Sequence, residues 1–319
     1  MKTKQKKEKK IYPLNQCALY NIQSKKRLCE LLFIELDYVE SLLTAGNNYR
    51  VYIDNPKPII EHEIFIKKPR EIQALKPKLE KIHKRIFNLF KYLEVPDYLH
   101  SAVKGRSYRT NAEKHVSANV IYRVDIKKFY QNISKERIYK FFCDELCCSP
   151  DVSGLLAEIC CYKSMLPTGS SISPILSFLA NRKMFDTLFQ YALSNGILMT
   201  VYVDDVILSG DNITYKHRFE IDGIIVGSGY KPHKKKCYKV NNIKLVTGLV
   251  VGKTDVNLPS KRRQKVRLLL KHARMLKPGE ELNKIIKTLQ GYASEAKQFD
   301  SRYAHFIEIN VMKLQRASA

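Results

Sequence analysis

The stretch of residues 199–209 constrains this chain more than any other, because two adjacent carboxylates, Asp204 and Asp205, stand between two apolar runs rich in β-branched residues. Such runs are typical of strands, and a two-residue break between two strands predicts a hairpin turn. Ionised aspartates between strands cost desolvation free energy unless a cation compensates them. A polar hairpin tip at a solvated sheet edge is the alternative interpretation.

A second β-rich run, residues 120–130, carries one acid, Asp125. One carboxylate from this strand and a pair from the hairpin would form a set of oxygen ligands, which Mg²⁺ prefers and shares with waters and substrate phosphates. Two such ions about 3.5–4 Å apart activate an attacking hydroxyl and stabilise the leaving oxygen in phosphoryl transfer. The pattern therefore predicts polymerase chemistry, with Asp125, Asp204 and Asp205 as catalytic residues.

Five motifs in chain order resemble those of reverse transcriptases, and three of them narrow the resemblance to the bacterial retron branch. The general motifs are Tyr-Val-Asp-Asp at 202–205, preceded by Asp125 in its strand, and Leu-Pro-Thr-Gly-Ser-Ser-Ile-Ser-Pro at 166–174 with Asn181 following. The three narrower motifs are Asn-Ala-x-x-His at 111–115, Cys-Cys-Tyr-Lys at 160–163 and Val-Thr-Gly at 246–248. The resemblance runs from about Tyr49 to the C-terminus.

This resemblance implies an α+β fold of the right-hand polymerase type, with fingers, a palm built on an antiparallel sheet, and a helical thumb. We expect a basic tail and N-terminal helical region at 1–48, fingers at 49–118, the palm with some finger insertions at 119–252, and the thumb at 253–319. Two Mg²⁺ ions are the implied cofactors, and the residues assigned to them are Asp125, Ile126, Asp204 and Asp205.

Hydropathy patterns predict the elements of these regions. Strands at 49–53 and 64–69 would form a hairpin, whereas 22–43, 70–91 and 175–193 each have helical periodicity. Residues 245–251 are typical of a strand with a Thr-Gly bulge. Three C-terminal helices are predicted at 261–276, 282–296 and 301–316.

The resemblance also assigns residues to the incoming deoxynucleotide. Tyr130 is expected to be the steric gate that excludes a ribose 2′-OH by bulk, and the alternative is ordinary core packing. Gly169 would allow the backbone to approach the substrate, and Thr168 replaces the family's usual Gln and has a shorter reach. Lys235, with Lys236 as the alternative, matches a lysine that protonates the departing pyrophosphate. Phosphate contacts in the fingers are assigned to Lys67, Lys68 or Arg70, with a solvated strand end as the alternative.

The charge balance indicates a polyanionic partner, because 56 Lys and Arg face 31 Asp and Glu, for a net charge of +25. Asn111 and His115 are expected to position RNA, although a helix cap is the alternative for His115. A cationic face in the thumb is expected to hold a structured RNA template-primer through its shape and phosphates. Its assigned RNA-binding residues are Arg262, Arg263, Arg267 and Lys271.

Further sequence features indicate the cellular location of the protein and the state of its cysteines. No run of about 18 apolar residues is present, and the charged start lacks an apolar core, so neither a membrane span nor a secretory signal is predicted. We therefore expect a cytoplasmic protein. Cys143, Cys147 and Cys148 are close in sequence, but no second ligand pair at zinc spacing follows, so buried free thiols are the favoured interpretation.

The resulting hypothesis is RNA-directed DNA synthesis on a dedicated structured non-coding RNA. The resemblance implies priming from a guanosine 2′-OH, a branched RNA–DNA product (msDNA), and a role in phage defence with a separate effector protein. Alternatives are a group II intron-like or diversity-generating reverse transcriptase, an RNA-dependent RNA polymerase, or a nucleic-acid-binding scaffold with a vestigial polymerase site.

Overall fold

A computed structural model describes residues 11–55 and 69–316 of the chain. The described part is an α+β structure with antiparallel sheets, as predicted. None of its helices combines the length and the apolar character needed to cross a bilayer.

The N-terminal region contains two helices where one was predicted. Helix α1 (Lys25–Leu32) begins at Ser24, whose side chain accepts a hydrogen bond from the amide of Arg27, and α2 (Leu36–Thr44) follows. Phe33 separates them in the left-handed conformation, with φ of 59°. The single helix at 22–43 was therefore wrong, because periodicity continues across a break made by one backbone dihedral.

The first sheet has two strands, β1 (Tyr49–Asp54) and β2 (Arg70–Leu75), paired antiparallel. The predicted partner strand at 64–69 falls almost entirely outside the described residues. The predicted helix at 70–91 was wrong in its first turns, because Arg70–Leu75 is a strand and helix α3 (Pro77–Phe90) begins at a proline. Proline favours the first turn of a helix, where its missing N–H has no intrahelical partner.

The central sheet has four antiparallel strands in the order β4-β5-β3-β6. Their bounds are β3 (Val120–Ile126), β4 (Leu198–Tyr202), β5 (Asp205–Gly210) and β6 (Pro232–Tyr238). On one face, Tyr122, Val124 and Val206 belong to the main core. Helices α1, α2 and α3 also contribute to that core. Its other helices are α5 (Lys135–Lys140), which continues as a π-turn (Phe141–Glu145), α6 (Pro150–Cys160), α7 (Ser173–Leu179), α8 (Arg182–Ser194) and α9 (Tyr215–Gly227).

The predicted helix at 175–193 is thus two helices, interrupted at Asn181, whose side-chain oxygen accepts hydrogen bonds from Arg137 and Tyr230. On the other face of the central sheet, Ile121 and Ile207 belong to a second core with Ala112 of α4 (Tyr108–Glu113). Because side chains alternate across a strand, the two cores lie on opposite faces.

The second core continues into the C-terminal region. A small sheet of β7 (Lys244–Val246), β8 (Leu249–Val251) and β9 (Val256–Asn257) precedes α10 (Ser260–Ala273), α11 (Glu280–Ala296) and α12 (Ser301–Arg316). The three predicted helices are confirmed within a few residues. The predicted bulge was wrong, because Thr247 and Gly248 form a hairpin turn between β7 and β8, with φ of 44° and 83°.

Candidate active site

The paired acids lie at the tip of the β4–β5 hairpin. Tyr202 pairs with Asp205, so the turn consists of Val203 and Asp204, one residue earlier than the two acids themselves. Val203 has φ of 59°, which is unusual for a β-branched residue. The predicted hairpin is confirmed, and it presents Asp204 from the turn and Asp205 from the first position of β5.

The third acid lies directly beside this tip. Asp125 and Asp205 are opposite each other in the register of β3 and β5. The amide of Ile126 donates a 2.9 Å hydrogen bond to the carbonyl oxygen of Asp204, which ties the turn to β3. The structure therefore brings Asp125, Asp204 and Asp205 to one end of the central sheet. Ile126, assigned to the metal from the sequence, has a buried side chain and contacts the turn through this backbone bond.

Burial and the charges of neighbouring acids raise the pKa of both Asp204 and Asp205. Burial, followed by the charges of Asp205 and Asp125, raises the pKa of Asp204 to about 6. Burial also raises the pKa of Asp205, although the adjacent Arg123 guanidinium opposes that rise. Like-charged carboxylates in a partly buried site favour binding of a cation that neutralises them.

Two cationic side chains already contact these acids. Arg123, two residues before Asp125 on the same face of β3, donates to both Asp205 carboxylate oxygens at 2.8–3.0 Å. Lys234 Nζ lies 3.2 Å from Asp125 Oδ2. In the described ranges, no three His, Cys, Asp or Glu side chains are grouped closely enough to hold a metal ion. The donor set is nonetheless the hard, all-oxygen type that suits Mg²⁺.

The lysine predicted for the nucleotide, Lys235, faces away from the acids. The pairing of β3 with β6 shifts between Arg123 and Asp125, and Lys234 has φ of 44°, which are the features of a β-bulge. As a result Lys234 reaches Asp125, whereas Lys235 lies 2.8 Å from Asp222 on α9. The assignment of Lys235 was wrong, because an inserted residue changes which side chains share a face.

Tyr130 lies near the acids, and its neighbour Phe129 does not. Burial, Asp204 and Tyr202 raise the pKa of Tyr130, which indicates that its hydroxyl is close to the hairpin. Phe129 is almost completely buried in the main core. Of the two adjacent aromatic residues, Tyr130 is therefore the one beside the hairpin.

The Leu-Pro-Thr-Gly turn contacts strand β2. The backbone amide and the hydroxyl of Thr168 both donate to Gln73 Oε1, at 3.0 and 2.9 Å. A Cβ on Gly169 would lie 2.5 Å from the carbonyl oxygen of Gln73, so only glycine fits there. The close backbone approach predicted at Gly169 is therefore made to β2. Arg70 is exposed at the start of that strand, and Lys67 lies outside the described residues.

The Asn-Ala-x-x-His motif lies inside the protein. Asn111 and His115 are completely buried in and just after α4. His115 Nδ1 lies 2.7 Å from Ser209 Oγ, and its Nε2 lies 2.7 Å from Thr200 Oγ1. Burial, and to a smaller extent His100, lowers the pKa of His115 to about 3. The predicted RNA contacts of these two side chains were wrong, because neither reaches the surface.

The four predicted RNA-binding residues of α10 divide into two pairs. Arg262 forms an ion pair with Glu295, and Arg263 forms one with Asp300 at 2.9 Å, with its guanidinium stacked over Tyr303. These two arginines hold the C-terminal helices together. Arg267 and Lys271, one turn apart, are exposed. Only the second pair has the exposure expected of a phosphate-binding face.

Sequence analysis missed Arg123, Lys234, Gln73 and Ser101. The hydroxyl of Ser101 accepts a 3.0 Å hydrogen bond from the amide of Val203 in the catalytic turn. Arg123 had one available signal, since a charged residue two positions before Asp125 shares its face of the strand. The others depend on long-range contacts that no local pattern contains.

The eight thiols are all free. Cys147 is exposed, and Cys143 and Cys237 are half-buried, so the prediction of buried thiols was wrong for these three and is confirmed for the other five. Within the described parts of the chain, no cysteine belongs to a group able to hold zinc.

The family model for "Reverse transcriptase (RNA-dependent DNA polymerase)" matches residues 57–267. This chain belongs to the reverse transcriptase family, and it is an RNA-directed DNA polymerase with the right-hand fold of that family. Reverse transcriptases generally use divalent metal ions.

Curated relatives agree with the narrower resemblance. The chain is 26% identical to the retron Ec86 reverse transcriptase of Escherichia coli, over 86% of this chain and 84% of the relative. It is 34% identical to the retron Se72 reverse transcriptase of Salmonella heidelberg, over 61% of this chain and 47% of that relative. It is 23% identical to the retron Mx65 reverse transcriptase of Myxococcus xanthus, over 68% of this chain and 57% of that relative. The predicted resemblance to bacterial retron reverse transcriptases is confirmed.

Proposed function

We propose that this enzyme copies one dedicated, structured non-coding RNA into a short single-stranded DNA that stays attached to the RNA through a branched, 2′-linked nucleotide. The observation that carries the polymerase part is the meeting of Asp125, Asp204 and Asp205 at one end of an antiparallel sheet. The dedicated RNA is supported by the retron names of the relatives and by the net charge of +25.

In this proposal residues 49–118 are the fingers, 119–252 the palm and 253–319 the thumb, with a basic N-terminal region at 1–48. The exposed pair Arg267 and Lys271 binds phosphates of the template-primer. Phosphate contacts of this kind release counterions and weaken steeply with salt. Shape and phosphates, rather than base edges, are what an A-form duplex offers to such a surface.

The three aspartates would hold two Mg²⁺ ions, which supply the charge that activates the primer hydroxyl and stabilises the departing pyrophosphate. The ring of Tyr130, whose pKa is raised by burial and by Asp204, would exclude a ribose 2′-OH by its bulk. Arg123 keeps the Asp205 carboxylate in one orientation through two parallel hydrogen bonds, from Nε to Oδ1 and from Nη2 to Oδ2. Lys234 provides positive charge next to Asp125, where Lys235 had been expected.

We further propose that the protein is cytoplasmic and acts in phage defence together with a separate effector protein. This part rests on the resemblance alone. A group II intron-like or diversity-generating enzyme would share the same acids, and a scaffold with a vestigial site would not need them intact.

The test is to express the chain with its native flanking DNA and to extract total nucleic acid, beside an Asp204→Asn/Asp205→Asn variant. We expect a discrete DNA whose gel mobility shifts after RNase and debranching treatment and which the variant lacks. If the enzyme extends an annealed primer but makes no such DNA, the self-priming proposal is rejected and the polymerase assignment stands. If the variant still yields the DNA, the roles of the two acids are rejected.

A further inference from the structure

The catalytic hairpin is attached to a neighbouring segment, residues 98–117, at several points, and we define this stretch as the bridging segment. β4 is an edge strand of the central sheet, so its outer backbone groups need partners. The bridging segment supplies them, since Val201 N donates to Tyr98 O at 2.7 Å and His100 N donates to Val201 O at 2.9 Å.

A second attachment is at the turn. The amide of Val203 donates to Ser101 Oγ at 3.0 Å, two residues beyond the backbone pairing. Val203 is held at φ of 59° next to Asp204. This conformation is strained for a β-branched residue and persists only where the surrounding structure determines it. Ser101 is the side chain that contacts this turn amide.

A third attachment spans both strands of the hairpin. The His115 ring bridges Thr200 of β4 and Ser209 of β5 at 2.7 Å on each side. Residues 205, 207 and 209 alternate onto the same face of β5, so His115 lies on the face that carries Asp205. Both hydroxyls can donate or accept, so the neutral ring is satisfied in either tautomer.

The bridging segment also contacts the β7–β8 hairpin. The Thr247 hydroxyl donates to Tyr108 O at 2.7 Å, and Ser117 N donates to Gly252 O at 3.1 Å. One continuous segment therefore joins the hairpin that carries Asp204 and Asp205 to the hairpin that precedes the C-terminal helices.

From these contacts we infer that Ser101 and His115 are positioning residues for polymerisation: they fix the catalytic turn, and thereby Asp204, relative to the region that holds the template-primer. His115 acts on the hairpin from inside the protein, and the buried side chains of Asn111 and His115 make no contact with RNA. Because the enzyme places reacting groups by geometry, a displacement of about 1 Å at Asp204 would slow the chemical step about a hundredfold.

The experiment uses the full-length enzyme and an RNA template with an annealed DNA primer, so it does not depend on self-priming. His115→Ala, His115→Asn and Ser101→Ala are compared with Val152→Ala, a core truncation in α6 that is remote from the hairpin. For each variant we would measure kcat, the KM for dNTP, the Kd for the template-primer and the melting temperature.

We expect His115→Ala to lower kcat by about 10- to 100-fold, while the KM for dNTP and the Kd for the template-primer stay within about twofold of the parent. His115→Asn should recover part of kcat because one hydrogen bond is retained. Ser101→Ala, which removes only a hydroxyl, should lower kcat by about 3- to 10-fold. This variant tests the inference if His115→Ala does not fold.

Two results would overturn the inference. A Kd that weakens about tenfold at unchanged kcat would mean that the motif recognises RNA. An equal loss of kcat in Val152→Ala at an equal loss of melting temperature would mean that general destabilisation, and not positioning, explains the effect.

Discussion

Two hairpins with two-residue turns contact the bridging segment, and their turns are stabilised differently. The β4–β5 turn is Val203-Asp204, and the β7–β8 turn is Thr247-Gly248. Both have a β-branched residue at positive φ in the first position, 59° for Val203 and 44° for Thr247. Only the second turn continues with glycine, at φ of 83°, and only there does the side chain of the first residue make its own hydrogen bond.

The difference shows where this fold tolerates strain. Positive φ at both central residues is typical of a tight hairpin turn, and glycine adopts it without steric cost. In the catalytic turn only Val203 has positive φ, and Asp204 occupies the position that glycine has in the other turn. The Val203 side chain has no polar group. Its geometry therefore depends on contacts from outside the hairpin, from Ser101 and Ile126. Backbone strain of this kind is concentrated at functional sites.

The largest effect is expected from the acid in the catalytic turn. Asp204→Asn should lower primer extension by about 10³-fold or more, because it removes a charge placed at the reacting phosphate. Asp151→Asn, the same substitution at a surface acid of α6, should leave extension unchanged. Single-turnover extension of an annealed primer measures both variants, and substantial activity in Asp204→Asn would remove this hairpin from the active site.

The next largest effect concerns two buried histidines, His115 under the catalytic hairpin and His83, which contacts Ser170. Burial lowers the pKa of His115 to about 3 and that of His83 to about 4, from 6.5. Below pH 6.5 the unfolded chain binds protons that the folded chain does not, so the free energy of unfolding falls as pH falls. At pH 5 we expect a loss of about 2 kcal/mol for each histidine relative to pH 7.5.

Chemical denaturation at pH 7.5 and pH 5 tests this expectation. His115→Gln and His83→Gln should each remove the part of the decrease in unfolding free energy between pH 7.5 and pH 5 that is due to the replaced histidine. This holds whatever the substitution does to stability at pH 7.5. A pH dependence that is unaltered in both variants would contradict the assignment of neutral rings.

The next prediction compares the stability contributed by two ion pairs, Arg123–Asp205 at the catalytic hairpin and Arg263–Asp300 in the C-terminal region. Arg123→Gln leaves the Asp205 carboxylate, 14% exposed, without its bidentate partner, and should cost about 2 kcal/mol of unfolding free energy. Arg263→Gln breaks the more exposed pair with Asp300 and should cost less than about 1 kcal/mol. Urea denaturation at pH 7.5 compares the two, and equal costs would mean that burial of the catalytic hairpin has no electrostatic consequence.

The smallest effect tests the two turns directly. Val203→Gly relieves positive φ but increases the freedom of the unfolded chain, so we expect stability to stay the same or rise by about 1 kcal/mol at most. Thr247→Gly also loses the hydrogen bond to Tyr108 and should cost about 1 kcal/mol. Opposite signs in thermal melts would support the comparison, whereas a destabilised Val203→Gly would show that the catalytic turn is unstrained.

Local sequence patterns determined much of this protein. The alternation around Asp204 and Asp205 predicted the hairpin, the acid in the preceding strand predicted the third carboxylate, and the C-terminal periodicity predicted three helices. These features repeat over a few residues, so the chain shows them without any tertiary contact. The order of the motifs along the chain was sufficient to predict the family.

The tertiary structure alone decided the side-chain assignments that depend on register or burial. The bulge at Lys234 exchanged the faces of Lys234 and Lys235, and a one-residue shift has that effect because strand periodicity is two. Packing of α4 against the central sheet buried Asn111 and His115, which a basic neighbourhood had suggested were exposed to RNA. Pairing with β1 made Arg70–Leu75 a strand despite its helical pattern. Each outcome depends on residues distant in sequence, and their contacts outweigh local propensity.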